Sequence, residues 1–167
     1  MNEDAKKTAL RMIPYGIYVL TSEGADGSVA AATVNWVTQT AFAPPLVVVG
    51  VKTDSGAHAI IKDKGVFALN MLGKGQQGQA FTFFKSLERE GDSIGGEPFT
   101  LSPAGAPVLD NAPAWVECKL VDTVERADHS IFIGEVTEAG VHTAPEGRAD
   151  DAILWMKDLG DNVFYGG

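Results

Sequence analysis

Two alternating runs constrain this chain more than any other feature. Residues Ala114 to Ala127 (A-W-V-E-C-K-L-V-D-T-V-E-R-A) and His129 to Ala139 (H-S-I-F-I-G-E-V-T-E-A) place apolar and polar side chains in turn. A period of two marks a strand with two different faces. Only Asp128 separates the runs, so they turn back on one another and pair antiparallel. The fold class is therefore mainly β with an antiparallel sheet.

The remaining segments supply further strands and a few helices. Asp4 to Met12 reads as a short helix ending before Pro14. Tyr15 to Ser22 reads as a strand, and E-G-A-D-G-S as a turn into a second strand from Val29. Leu46 to Val51 reads as a third strand, and Val66 to Leu72 as another. Between them Ser55 to Lys64 reads as a helix, with Ser55 as N-cap and Gly65 as the stop. Gln77 to Glu90 reads as helical. Residues 91–112, rich in Gly, Pro and Asp, read as a long loop. His142 to Asp151 reads as a polar loop and Ile153 to Met156 as a last short strand, before the tail N-V-F-Y-G-G. Six or more strands with two or three short helices predict an antiparallel barrel with helices at its ends. No repeat or linker divides the chain, so residues 1–167 are expected to form a single domain.

Charge narrows the function classes. The formal net charge is -9 and the sequence pI is about 4.7. Nucleic acid and anionic membrane surfaces call for Lys/Arg patches, which this balance argues against. No run is long enough to span a membrane, and the charged N-terminus is not a signal peptide, so a cytoplasmic location is expected. The lone cysteine, Cys118, sits in V-E-C-K-L and reads as a buried structural thiol. His58, His129 and His142 have no metal-ligand spacing, so no metal site is expected.

Ala31 to Val51 reads as the floor of a cofactor site. Thr33-Val34-Asn35-Trp36-Val37-Thr38-Gln39-Thr40 alternates, and its hydroxyls and amides do not titrate near neutrality. Such a face suits a flat, neutral, hydrogen-bonding ligand better than proton chemistry. Pro44-Pro45 then breaks the ladder, and Leu46-Val47-Val48-Val49 restarts it as a buried strand. Lys52-Thr53-Asp54-Ser55-Gly56 falls at the end of that strand and the start of a helix. Free N–H groups, a charge and hydroxyls there are able to hold a phosphate, although an ordinary capped helix with a solvated lysine explains the same residues. Phe81, Phe84 and Leu87 share a helical face and read as core, leaving Lys85 to point at an anionic ligand. Residues 73–78 match G-x-G-x-x-G literally. The helix after them runs into a loop, not into the second parallel strand that a dinucleotide fingerprint requires, so the motif reads as a strand-to-helix connection. No G-x-S-x-G nucleophile elbow is present.

In this order the pieces resemble the flavin reductase-like family of FMN-binding split barrels over nearly the whole chain. The resemblance rests on T-V-N-W-V-T-Q-T-A-F-A-P-P-L-V-V-V-G-V, G-V-F-A-L-N-M-L, the A-D-H turn leading into I-F-I-G-E-V, and the aromatic-Gly-Gly ending. It implies a six-stranded, Greek-key split barrel and a homodimer with flavin near the subunit interface. It further implies that Thr33, Val34, Asn35 and Trp36 meet the isoalloxazine ring. Thr38, Lys52, Thr53 and Ser55, joined by Lys85, would lie along the ribityl chain and phosphate. His129 would stand on the nicotinamide side. Ala127 departs from the glycine common before D-H, and Thr38 and Thr40 stand where serines are frequent. The implied activity is hydride transfer from NAD(P)H to FMN, with FAD as the alternative, supplying a monooxygenase or a redox protein. A second reading is a bound-FMN electron carrier, flavoredoxin-like, reduced by a protein such as a ferredoxin or rubredoxin. A third is a split-barrel module that binds haem or another ligand without redox turnover.

Overall fold

The computed structural model describes residues 1–167. Helix α1 (Glu3–Arg11) opens the chain, capped by Asn2, whose Oδ1 accepts from the Ala5 N–H at 2.9 Å. Strands β1 (Tyr18–Glu23), β2 (Val29–Val34), β3 (Val37–Phe42) and β4 (Pro45–Lys52) come next, with a cis bond before Pro44. Helix α2 (Gly56–Lys64), strand β5 (Val66–Met71) and helix α3 (Gln77–Thr82) continue the chain. Four short strands, β6 (Arg89–Glu90), β7 (Ser93–Ile94), β8 (Glu97–Leu101) and β9 (Pro107–Leu109), precede the long pair β10 (Ala114–Glu125) and β11 (His129–Val141). No helix is long and apolar enough to cross a membrane.

The long pair forms as its alternation predicts, from Ala114 opposite Val141 to Glu125 opposite Ser130. It sits inside a seven-stranded antiparallel sheet of order β2-β1-β5-β10-β11-β4-β3. Alternation predicts six or more strands, and this sheet has seven. Asn35 and Trp36 interrupt what alternation alone reads as one strand, and the two halves pair with different neighbours. β2 and β3 are the outermost strands of the order, yet only those two residues separate them. The sheet therefore has to curl until its edges meet. All seven strands face one core, through Leu20, Val34, Val37, Val49, Phe67, Cys118 and Phe132, and Ile61 of α2 packs into it. Gly134 of β11 faces this core. A Cβ there would lie 2.6 Å from the Phe67 ring and 2.8 Å from the Cys118 Cβ, so I-F-I-G requires its glycine.

Residues 91–112 are not a loop, which corrects the reading of that segment. β6 to β9 form a second, four-stranded sheet. Its Ile94, Phe99 and Leu109 bury against Val19 and Val29, on the other face of β1 and β2, and against Ile17 just before β1. Gly95 and Gly96, both at positive φ (58° and 80°), make the two-residue turn that joins β7 to β8. Buried Asn70 ties the layers together. Its Nδ2 donates to the Val19 carbonyl at 3.0 Å, and its Oδ1 accepts from the Leu109 N–H at 2.9 Å.

α3 stops at Thr82, short of the expected Glu90, because Thr33 takes its carbonyls. The Thr33 Oγ1 donates to the Ala80 carbonyl at 2.6 Å and its N–H to the Phe83 carbonyl at 3.0 Å. The G-x-G-x-x-G is a tight turn in which the Gly73 N–H donates to Gln76 Oε1 at 2.7 Å, and no parallel strand comes after it. Gly73 bridges Ile153 and Gly16 bridges Trp155, so the expected last strand is reduced to two isolated bridges.

Candidate functional site

Asn35 and Trp36 lie where the two edges of the curled sheet meet. The Trp36 ring covers Gly50 of β4, where a Cβ would sit 3.1 Å from it, and its carbonyl accepts from the Gly50 N–H at 2.9 Å. Glycine lets the indole lie flat on the sheet. Asn35 is 4% exposed, and its Nδ2 donates to the Tyr165 carbonyl at 2.9 Å. The C-terminal tail is thus drawn across the junction, and the Tyr165 ring centroid is 5.2 Å from that of Trp36.

His129 opens β11 opposite Lys52 of β4 and stands edge-on to Trp36 with centroids 4.7 Å apart. Its Nδ1 is 3.0 Å from Asp128 Oδ1, and its Nε2 is 2.7 Å from the Tyr165 hydroxyl. An ionised carboxylate only accepts, so Nδ1 donates and, in the neutral ring, Nε2 accepts from the phenol. Hydrogen bonding and charge from His129 hold the Asp128 carboxyl below its ordinary range. Burial pushes the Tyr165 phenol up. Four side chains, Asn35, Trp36, His129 and Tyr165, therefore form one connected cluster.

The turn after β4 abuts this cluster. The Thr53 Oγ1 donates to the Asp128 carbonyl at 3.0 Å. Ser55 caps α2, accepting from the His58 N–H at 3.2 Å and donating to the Lys52 carbonyl at 2.8 Å. The next N–H groups of the helix, at Gly56 and Ala57, start the turn with no intrahelical acceptor. A cleft of about 230 Å³ opens there between β2, the start of α2 and residues 83–87, with Ser55, Gly56 and Lys85 among its lining. Its opposite wall is Ala30, Ala31 and Ala32, whose small side chains leave it open.

The structure brings Asn35, Trp36 and His129 together, with Thr53 beside them, and sets Ser55 and Lys85 on one cleft. Other predicted residues are turned elsewhere. The Thr33 hydroxyl is occupied by α3, and Val34 packs on the barrel core. Lys52 is paired with Asp54 at 3.1 Å and is absent from the cleft lining. Within one chain Thr38 does not share a phosphate site with the Lys52–Ser55 turn. It pairs with Val48, four residues before Lys52 on β4, which puts the two roughly 13 Å apart along the sheet. Tyr165 was missed by sequence reasoning, and its one signal was the aromatic-Gly-Gly ending. Cys118 is inert: burial, and then neighbouring Glu117, push its thiol up to about 12. The remaining buried histidine, His58, is held by the Ser130 hydroxyl at 2.8 Å inside the barrel. No three His, Cys, Asp or Glu side chains are grouped as a metal site would need.

A family profile for the flavin reductase like domain matches residues 10–159. The chain belongs to the flavin reductase like family. The NADH-dependent flavin reductase StyB of Pseudomonas fluorescens is 34% identical over 150 residues, covering 90% of this chain and 84% of that protein. The solved styrene monooxygenase flavin reductase of Pseudomonas putida superposes with a TM-score of 0.74 at 29% identity, covering 96% of this chain and 95% of that one. A high molecular weight rubredoxin of Moorella thermoacetica is 35% identical over 144 residues, covering 80% of this chain but 58% of that protein. The donor set of this flavin reductase like chain fits a phosphorylated flavin. A helix start, a capping serine and Lys85 suit a phosphate, and the alanine wall admits a chain or ring at close range.

Proposed function

We propose that this protein is an NAD(P)H:flavin oxidoreductase that delivers reduced flavin, or its electrons, to a partner. The observation that carries the reading is the adjacency of two features. One is the Asn35–Trp36–His129–Tyr165 cluster, and the other is the Ser55–Lys85 cleft at the start of α2. Bound flavin supplies the hydride acceptor, and the protein contributes position and electrostatics. Ser55, the first N–H groups of α2 and Lys85 hold the phosphate. The backbone of residues 33–36 and the side chains of Asn35 and Trp36, with Thr53, flank the ring. His129, fixed by Asp128 and Tyr165, orients the nicotinamide. FMN is the preferred flavin and FAD the alternative.

Counted with β2 and β3 as one strand interrupted at Asn35–Trp36, the curled sheet is the six-stranded Greek-key split barrel, and the chain is one domain. A cleft of about 230 Å³ is smaller than sites that enclose a whole cofactor. We therefore take the working unit to be a homodimer in which a second copy completes the ring site. The expected compartment is the cytoplasm, and a monooxygenase is the expected acceptor, as the name of the styrene monooxygenase flavin reductase suggests.

The test is to mix the purified protein with FMN and NADH and to follow NADH absorbance. Absence of FMN binding at micromolar concentration would sink the reading. Similarity to the rubredoxin relative supports a second reading, a bound-flavin electron carrier. Anaerobic addition of NADH and NADPH in turn separates the two, because a carrier purifies yellow and stays oxidised with both.

A further inference from the structure

A second, larger cavity lies away from the α2 cleft, where the end of α1 faces the C-terminal tail. Its volume is about 540 Å³, within the range of small-ligand sites. Four aromatic rings, Tyr15, Trp155, Phe164 and Tyr165, line it, and so do Arg11 and Lys157. Asp161 is its one acidic residue. This local excess of positive charge runs against a chain whose net charge is -9. Neither cation is committed to an ion pair. The Arg11 guanidinium lies 3.9 Å above the Phe164 ring and bonds the protein only through Nε, to the Gly166 carbonyl at 3.4 Å. Its two terminal nitrogens are therefore available. Flat apolar walls with available cations select a ligand that is aromatic at one end and anionic at the other.

Tyr165 fixes where that ligand leads. It lines this cavity, and its hydroxyl is 2.7 Å from His129 Nε2. The cavity thus begins at the residue that holds the proposed nicotinamide-side histidine. We infer that it takes the adenosine phosphate half of the reducing dinucleotide. Adenine stacks on the aromatic walls, with Trp155 the largest, and Arg11 and Lys157 neutralise the phosphates. The inference rests on the assignment of His129 to the nicotinamide side.

The experiment titrates the purified full-length chain with ADP-ribose by calorimetry and measures ADP-ribose inhibition of NADH oxidation. ADP-ribose is expected to bind, to compete with NADH and to leave FMN affinity unchanged. Trp155→Ala is expected to weaken ADP-ribose binding and raise the KM for NADH about tenfold, the usual effect of losing one base–aromatic stack. Trp155 joins the fold through backbone bonds, a bridge to Gly16 and its N–H to Asp158 Oδ2 at 2.9 Å. If circular dichroism nevertheless shows loss of fold, the double variant Arg11→Gln/Lys157→Gln carries the test, since both side chains are exposed. It is expected to raise the same constants severalfold. Absence of ADP-ribose binding, or binding untouched by the variant that folds, overturns the inference. ADP-ribose binding that depends on Trp155 in a protein that oxidises no NADH upholds the cavity and removes the reductase reading instead.

Discussion

His129 is held from both sides, and only one of its partners was legible in the sequence. Asp128 is its neighbour, whereas the Tyr165 hydroxyl arrives from 36 residues further along the chain. Removing that hydroxyl tests the arrangement. Tyr165→Phe keeps the ring against Trp36 but deletes a hydrogen bond to Nε2. Such a bond is worth about 1 kcal/mol, so the rate of NADH oxidation is expected to fall about fivefold while FMN affinity stays within about twofold. Equal losses in both, by stopped-flow and fluorescence titration, would make the tail a structural strap. Lys85→Ala is the complementary case, because Lys85 is the cation on the cleft. FMN affinity is expected to drop at least about tenfold, with turnover at saturating FMN unchanged. Thr33 shows why residue roles were only partly legible. A strand threonine looks the same in sequence whether its hydroxyl faces a ligand or, as here, the Ala80 carbonyl of a helix 47 residues away.

At the level of elements, long periodic segments were legible and short ones were not. β10 and β11 fall where alternation puts them, and α2 has the cap and stop that Ser55 and Gly65 announce. β6 to β9 were missed because strands of two to five residues carry too few side chains to display a period. Apolar packing of Ile94, Phe99 and Leu109 docks that second sheet, and a polar contact invisible to hydrophobic patterning joins it. Glu117 of β10 is 2% exposed and reaches across to the β8–β9 connection, where its Oε2 accepts from the Ala104 N–H at 2.7 Å. The Thr137 hydroxyl donates to its Oε1 at 2.7 Å. Burial raises its pKa, but hydrogen bonds from Ser102, Thr137 and Ala104 outweigh it and hold the carboxyl below its ordinary 4.5. A depressed folded pKa means that this group stabilises the fold at pH above 4.5, and the contribution is lost as pH falls through the lower folded value. The melting temperature should therefore fall below about pH 4. Glu117→Gln, less stable at neutrality, should lose less over the same interval. Parallel melting curves for the two proteins would show that Glu117 does not couple the layers.

For the whole molecule, the outer face of the β10–β11–β4–β3 strip decides what one chain can do alone. Register aligns Asp122, Ile133, Val48 and Thr38 in one row, and Val124, Ile131 and Gly50 in the next. Phe132 and Val49 point inward to the core, so these rows face away from it, and Ile131 is 45% exposed. Each exposed apolar side chain on such a strip costs stability that an interface would return. Thr38 lies on this face, roughly 13 Å along the sheet from Lys52. It is out of place in a site built from one chain. If a second copy seats here, Thr38 of one chain is brought to the cleft of the other. The protein is then expected to sediment at twice its 17.6 kDa chain mass. Ile133→Glu places a carboxylate at the centre of the proposed contact without touching the core. The variant should sediment as a monomer at micromolar concentration, keep its far-ultraviolet circular dichroism, and bind FMN at least about tenfold more weakly. A monomeric parent protein with full FMN affinity would place the whole site within one chain, and Thr38 would then be a surface residue of β3.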